Sequence, residues 1–401
     1  MSEEECIFCE RRIGESLKSK EHIIPECIGG RLTFKNVCRE CNSKFGSEFE
    51  RELEISFGII KDFLGLKSNG KPSKKARFDH EGRKVIMDKE GPRLKDIRVV
   101  SRENGETILA FPNEESMRKY YTRMQEKYPD TEIDIERKIR ESEKHFTEFK
   151  VLRYKSIFPF DKIVRASAKM IYEFLHSIKP NIALSSTEFR DFIIKPNRSI
   201  PVTLLKNYYP FNLNYDHIYH SMVIDARSDE KVIFGYVELY SSFKIVFLLD
   251  DNYGGLPFSV GYYLDLMESK GYSQSIDKLP LNKEFFMELT KKFDFSDYHR
   301  EVGNSIALFA SKARLYPIKE VLTNIKSRLQ LKDFKDIKEK YEFISCNLIE
   351  GLKRLGFEES VPKGTQDELL NKITYILQRL KQTFIEWDIS IEIIDNIINL
   401  L

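Results

Sequence analysis

Apolar residues at Phe45, Phe49, Leu53, Phe57, Ile60 and Leu64 recur every three or four positions, which sets them on one face of a helix that Gly65 ends. That stripe is longer than a module of some sixty residues can cover, so the helix is expected to dock on the next domain. Strands are predicted next at Lys84–Met87, Ile97–Val100 and Ile108–Phe111, with Asn104-Gly105 as a hairpin turn. Met117, Tyr120, Tyr121, Met124 and Tyr128 mark a helix, and Phe149–Tyr154 another strand. Ile163, Val164, Ala168, Ile171, Phe174 and Leu175 define a second amphipathic helix and leave Lys162, Arg165, Lys169 and Glu173 on its outer face. His220–Ile224, Val232–Leu239 and Phe243–Leu249 read as an antiparallel meander turned at Asp229-Glu230 and Ser241-Ser242, and Pro257–Leu264 adds a strand.

From about Leu281 helical spacing dominates, over Glu284–Phe293, Ile318–Leu331, Phe334–Leu355 and Gln366–Leu400. The stripe Ile373, Ile376, Leu377, Leu380, Phe384 and Trp387 must pack on its own domain or on a copy of itself, which leaves a homo-oligomer open. These elements predict an α+β protein in three parts. Residues 1–66 form a small N-terminal module. Residues 67–280 form a mixed α+β domain that opens on a basic loop at 67–77 and continues in antiparallel strands, and residues 281–401 form a helical region.

Composition narrows this only slightly. With 41% hydrophobic and 32% charged residues over 401 positions, the chain fits a soluble globular protein, and no apolar run approaches the roughly 20 residues that cross a bilayer. The 65 basic residues nearly match the 63 acidic ones, so net charge does not mark a nucleic-acid binder. Distribution says more: between Lys61 and Val100 twelve basic residues face six acidic ones. Lys67, Lys71, Lys74, Lys75 and Arg77 share one stretch with Gly, Pro and Ser, either a solvated charged loop or a grip on phosphates. The acidic start, Ser2 to Glu5, has no apolar signal region.

Chemistry concentrates in Cys6–Gly46. Two Cys-x-x-Cys pairs, Cys6/Cys9 and Cys38/Cys41, offer the four thiolates that a closed, structural zinc site needs. A redox reading would need a single pair beside a βαβ pattern, which is absent. Cys27 lies outside both pairs and is expected as a packed thiol. Five of the six cysteines fall in the first 41 residues, which suits metal binding in a reducing compartment, and the cytoplasm is the expected location. No P-loop or dinucleotide fingerprint appears.

Between the knuckles stand Glu21-His22-Ile23-Ile24-Pro25, then Gly29-Gly30 and Asn36, with Asn42 directly after the last cysteine in C-x-x-C-N-x-x-F-G. This segment resembles the HNH endonucleases, in particular the type-5 HNH domains, whose ββα-metal fold is often pinned by paired Cys-x-x-Cys zinc knuckles. The resemblance implies that His22 is the general base, that Glu21 and Asn42 ligate a catalytic Mg²⁺ or Mn²⁺, and that Asn36 orients His22. A neutral imidazole can take a proton from water near pH 7. A carboxylate and an amide oxygen are hard ligands that leave positions open for water and phosphate.

The function the resemblance implies is a metal-dependent endonuclease that hydrolyses phosphodiester bonds, in DNA ahead of RNA. A regulated defence or toxin effector, antiviral defence included, fits that architecture by analogy, with residues after about 66 positioning substrate, building an oligomer or answering a regulatory ligand or partner protein. The basic residues Lys71, Lys74, Lys75 and Arg77 would then bind nucleic acid. The alternative is a non-catalytic zinc-knuckle protein that binds nucleic acid or another protein. Farther on, His217 and His220 (H-I-Y-H) sit at the mouth of a predicted strand and are expected to be structural.

Overall fold

The computed structural model describes residues 5–14, 19–64, 76–80, 83–88, 91–103, 106–142, 159–195, 200–205, 208–213, 217–292, 318–331, 334–354, 366–386 and 391–400. The expected strand at 149–154, the turn at Asn104-Gly105, and Lys67, Lys71, Lys74 and Lys75 lie outside these residues, as does the side chain of Arg77.

The N-terminal module is a short hairpin, β1 (Glu21–His22) and β2 (Thr33–Phe34), followed by a helical arm. That arm is not one smooth helix: α1 (Arg39–Phe45) passes through a π-helical turn (Gly46–Glu50) into α2 (Arg51–Leu64). Phe45, Phe49, Leu53, Phe57 and Ile60 are all buried along it, as the stripe predicts. Three antiparallel strands, β3 (Ala76–His80), β4 (Arg83–Asp88) and β5 (Gly91–Leu94), and the hairpin β6 (Arg98–Glu103) and β7 (Glu106–Ala110) come next. Helices α3 (Glu114–Lys127) and α4 (Ile135–Arg140) then pair through Arg118 and Glu136.

The centre of the molecule is a six-stranded antiparallel sheet. Its strands are β8 (Val202–Leu204), β9 (Tyr219–Arg227), β10 (Val232–Leu239), β11 (Phe243–Asp250), β12 (Phe258–Asp265) and β13 (Lys270–Ser275), in the order β13-β12-β9-β10-β11-β8. Every residue of β9 and β10 is buried, because both faces of the sheet are covered. On one face, Met222, Ile224, Ile233, Val237 and Phe247 pack into the core that holds α5 (Phe160–Ile178), α6 (Glu188–Ile194) and the N-terminal module. On the other, Val223, Phe234, Tyr236 and Val246 meet Phe211, Leu281 and Phe286, the last from α7 (Lys283–Lys291). The helix at 283–291 thus packs on the sheet and not with the helices after 318.

Those later helices, α8 (residues 318–331), α9 (Ile337–Arg354), α10 (Gln366–Glu386) and α11 (Glu392–Leu400), make a separate apolar core. Ile373, Ile376, Leu377, Leu380 and Phe384 are buried in it, so the α10 stripe is covered within the chain. No helix among the described residues is long and apolar enough to cross a membrane. The architecture is α+β, with the module at its N-terminal end and helices at its C-terminal end.

One expectation is overturned. Arg165, Lys169 and Glu173 do not face water on α5 but are buried at 6%, 0% and 0% exposure. Helical periodicity identifies a polar face and does not say what covers it. Here the cover is the acidic arm of the N-terminal module: Lys162 Nζ reaches Glu52 (2.9 Å), Arg165 reaches Glu48 (3.2 Å) and Lys169 reaches Glu50 (2.7 Å). Residues three or four apart on α5 meet carboxylates two apart on the π turn and the start of α2. The pairing brings the module onto the sheet domain.

Candidate active site and zinc centre

Four cysteines converge from two turns. In the first, the Cys6 N–H donates to the Arg11 carbonyl and the Glu10 N–H to the Cys6 carbonyl, with Glu10 in the left-handed region at φ 60°. In the second, Cys38 caps α1: its Sγ accepts from the Cys41 N–H (3.5 Å), while its own N–H donates to Cys6 Sγ (3.4 Å). All four Sγ atoms lie within 4.8 Å of one another, and Cys9 and Cys38 approach to 3.7 Å, far longer than the roughly 2.05 Å of a disulfide. A hydrogen bond from the Cys41 thiol pulls Cys6 down to about 4, and the same bond pushes Cys41 up. Deprotonated together, four sulfurs this close would need a cation among them, and a tetrahedral zinc ion would suit the donor set. Cys27 stands apart, its Sγ 3.8 Å from the Glu50 carbonyl and its thiol pushed up to about 12 by burial.

The β1/β2 hairpin is set by its turn. Gly29 takes φ 97°, which favours glycine, and a Cβ on Gly30 would fall 1.7 Å from the Ile24 carbonyl oxygen. Ile23 N–H donates to Leu32 O (2.9 Å), and the register pairs Glu21 with Phe34 and His22 with Thr33. Alternation sends Glu21 and Phe34 into the core and His22 and Thr33 to the other side. There the imidazole is half-buried, and burial pushes it below its ordinary value, so it is neutral near pH 7. Lys20, Arg31 and Lys35 are exposed just outside the paired residues, Lys20 close enough to act on the His22 imidazole and Arg31 on the Tyr262 hydroxyl. None of the three forms an ion pair with another described residue.

Glu21 points the other way. It is 3% exposed, and its Oε1 lies 2.5 Å from Lys169 Nζ, which also reaches Glu50, Glu173 (3.3 Å) and the His22 carbonyl (3.5 Å). Desolvation raises Glu21 above the usual carboxylate range against the pull of Lys169. Among the described residues, the side chains of His22, Asn36 and Asn42 hydrogen-bond no other residue. Asn36 acts here through its backbone, its carbonyl accepting from the Ile7 N–H (3.0 Å) and tying β2 to the first knuckle. Asn42, half-buried on α1, uses its carbonyl in the helix. Of the expected site residues, the structure therefore gathers the four cysteines, seats Glu21 and His22 on opposite sides of one strand, and gives Glu21 an ammonium partner. His, Cys, Asp and Glu side chains gather as a possible metal cage in two places among the described residues, and neither includes His22. The donor set at His22 does not by itself make a divalent-ion cage.

Some partners in and around the site cannot be read from the sequence. Lys169 was hidden because nothing local distinguishes a buried lysine from an exposed one. His220, buried in β9, accepts from Tyr240 N–H at Nδ1 (3.1 Å) and donates from Nε2 to the Ile28 carbonyl (2.9 Å), which fixes a neutral tautomer and pins the module to the sheet. His217 finds its acid 48 residues away: Nδ1 lies 2.6 Å from Asp265 Oδ2, and Glu268 completes a second group of possible ligands.

Residues 6–57, which hold the four cysteines, the β1/β2 hairpin and most of the helical arm, match the family model for HNH endonuclease. Over that N-terminal segment, and over no more of the chain than that, it is similar to the HNH endonucleases. No curated protein and no solved structure matches the chain.

Proposed function

We propose that the chain is an endonuclease that hydrolyses phosphodiester bonds, DNA ahead of RNA, with His22 as the general base. The observation that carries this is the position of His22: a neutral, half-buried imidazole paired across the hairpin with Thr33, with Lys20 close by and Arg31 and Lys35 exposed on either side of Thr33 in the sequence, inside the segment that matches the HNH family. A neutral imidazole takes the proton from an attacking water, and the three cations offer charge to the phosphates on either side of the scissile bond. With Glu21 engaged by Lys169, Asn42 is the residue of the expected set that would hold a Mg²⁺ or Mn²⁺ ion, and such an ion would supply charge stabilisation at the phosphate. Cys6, Cys9, Cys38 and Cys41 hold zinc and keep the module folded; they take no part in the chemistry.

The test is incubation of the purified full chain with plasmid, single-stranded DNA and RNA in Mg²⁺ or Mn²⁺, beside His22→Ala. Cleavage by the wild type, lost in His22→Ala while the zinc content stays the same, is the expected result. Equal activity in both would remove His22 as the base, and nucleic-acid binding without cleavage in either would favour the non-catalytic zinc-knuckle reading.

A further inference from the structure

Lys169 is the least expected residue in the neighbourhood of His22. It belongs to α5, 112 positions beyond the last residue of the HNH match (169 against 57), and its side chain is wholly buried. A lysine is almost never buried unless paired, and this one is paired three times, with Glu21, Glu50 and Glu173. Its contacts on the hairpin are specific. The ammonium lies against the Glu21 carboxylate (2.5 Å) and the His22 backbone carbonyl (3.5 Å), so it holds the strand at the side chain before the imidazole and at the carbonyl of His22 itself.

The two-residue strand offers little else to fix that direction. β1 pairs with β2 over Glu21 and His22, and the His22 ring has no hydrogen-bond partner among the described residues. Successive side chains on a strand point to opposite faces, so anchoring Glu21 inward determines where His22 points outward. We propose that Lys169 is a positioning residue for His22, and that the nuclease site is completed by a helix from outside the HNH domain. The inference rests on the nuclease reading of His22. It also gives the downstream domain a physical hold on that site: a shift of α5 along its axis moves the ammonium, and with it the strand that carries the base. Misplacement of a catalytic group by about 1 Å can cost roughly 10²-fold in rate.

The test uses the full chain. Lys169→Met alone would leave buried carboxylates without a cation, so it is paired with Glu173→Leu, which removes one of them. Zinc content, thermal unfolding and steady-state cleavage are measured for this double variant, for Lys169→Arg, and for His22→Ala as the inactive reference. The expected result is a folded, zinc-loaded double variant whose kcat falls by about 10²-fold with KM within about twofold, and a Lys169→Arg chain that recovers to within about tenfold of the wild type. Should the Met/Leu pair fail to fold, Lys169→Gln with Glu173→Gln keeps volume and hydrogen bonding without charge and is read by the same criteria. A folded charge-free variant that cleaves within about threefold of an active wild type overturns the positioning role and leaves the nuclease reading standing. A wild type no more active than His22→Ala defeats the nuclease reading, and the proposal with it.

Discussion

His220 Nε2 donates to the carbonyl of Ile28 across 192 residues of sequence, at 2.9 Å, and so ties the middle of the sheet to the turn between the two strands of the HNH hairpin. The bond is buried at both ends, and the Tyr240 hydroxyl reaches the same carbonyl at 3.5 Å. Around it the apolar core runs without a break from Cys6 through Phe57 to Phe243.

A chain ending near Lys67 should therefore not behave as a free module. It would expose the faces of Phe49 and Phe57 that Arg165, Tyr240 and Phe243 now cover, and would leave Glu21 and Glu50 without Lys169. Aggregation, or a loosely packed state seen by solution mass and hydrogen exchange, is the expected outcome. A soluble, monomeric short chain with native-like exchange protection would show that the module carries its own stability.

Cys9→Ser and Cys41→Ser should each reduce the metal content from one zinc per chain towards none and unfold the N-terminal segment, since metal affinity is folding energy in a unit this small. Metal analysis beside circular dichroism checks both. One zinc retained in both variants would break the four-cysteine assignment.

The buried ion set makes a prediction with a sign. Burial raises Glu173 well above the usual carboxylate range, against the pull of the Lys169 ammonium 3.3 Å away. A carboxyl with a raised folded-state pKa adds stability that is fully present below its unfolded value, about 4.3, and is lost as pH rises through the folded one. Glu173→Leu removes that loss, so its stability relative to the wild type should grow between pH 5 and pH 8. Lys169→Met, by contrast, should cost about 3–5 kcal/mol by leaving buried charge unpaired. Urea midpoints at the two pH values decide it, and a Glu173→Leu difference that shrinks with pH would reverse the sign.

Replacing Lys20, Arg31 and Lys35 together by Gln should weaken DNA binding at all sequences alike. If each cation meets one phosphate, the slope of log affinity against log salt becomes shallower by about 3 on duplex DNA. An unchanged slope would move the phosphate grip off the hairpin. Zinc content serves as the control for folding.

Much of the fold and of the site is legible in the residues themselves. The Cys-x-x-Cys pairs and the E-H-I-I-P and C-N segments carry local chemistry at short spacing, and the stripes from Phe45 and from Ile163 carry helical period, so those elements are found from sequence. Partner assignment is what fails. Lys169 and Glu173 have the spacing of a solvated face, and only the folded chain shows that the run Glu48, Glu50, Glu52 lies over this side of α5. The π turn between α1 and α2 is equally hidden, because it keeps Phe45 and Phe49 on the buried side as a regular helix would. Strand geometry alone sets Glu21 and His22 on opposite faces, whereas the burial of Glu21 and its ammonium partner come only from the folded chain.

Phe8 stands between the two cysteines of the first knuckle, its ring 4.7 Å from that of Phe45 and 5.5 Å from that of Tyr172 on α5. Each such aromatic contact is worth about 0.5–1.5 kcal/mol beyond the area it buries. The loop that carries Cys6 and Cys9 is thus also a wall of the central core. With zinc in the four-cysteine site, its free concentration would become a thermodynamic variable of the whole N-terminal half: at about 1,000 times the dissociation constant, a bound ion would add about 4 kcal/mol to the folded state. Chelation should accordingly lower the unfolding temperature of the central sheet, at a distance from any thiol, and newly made chains should complete that sheet only where zinc is supplied.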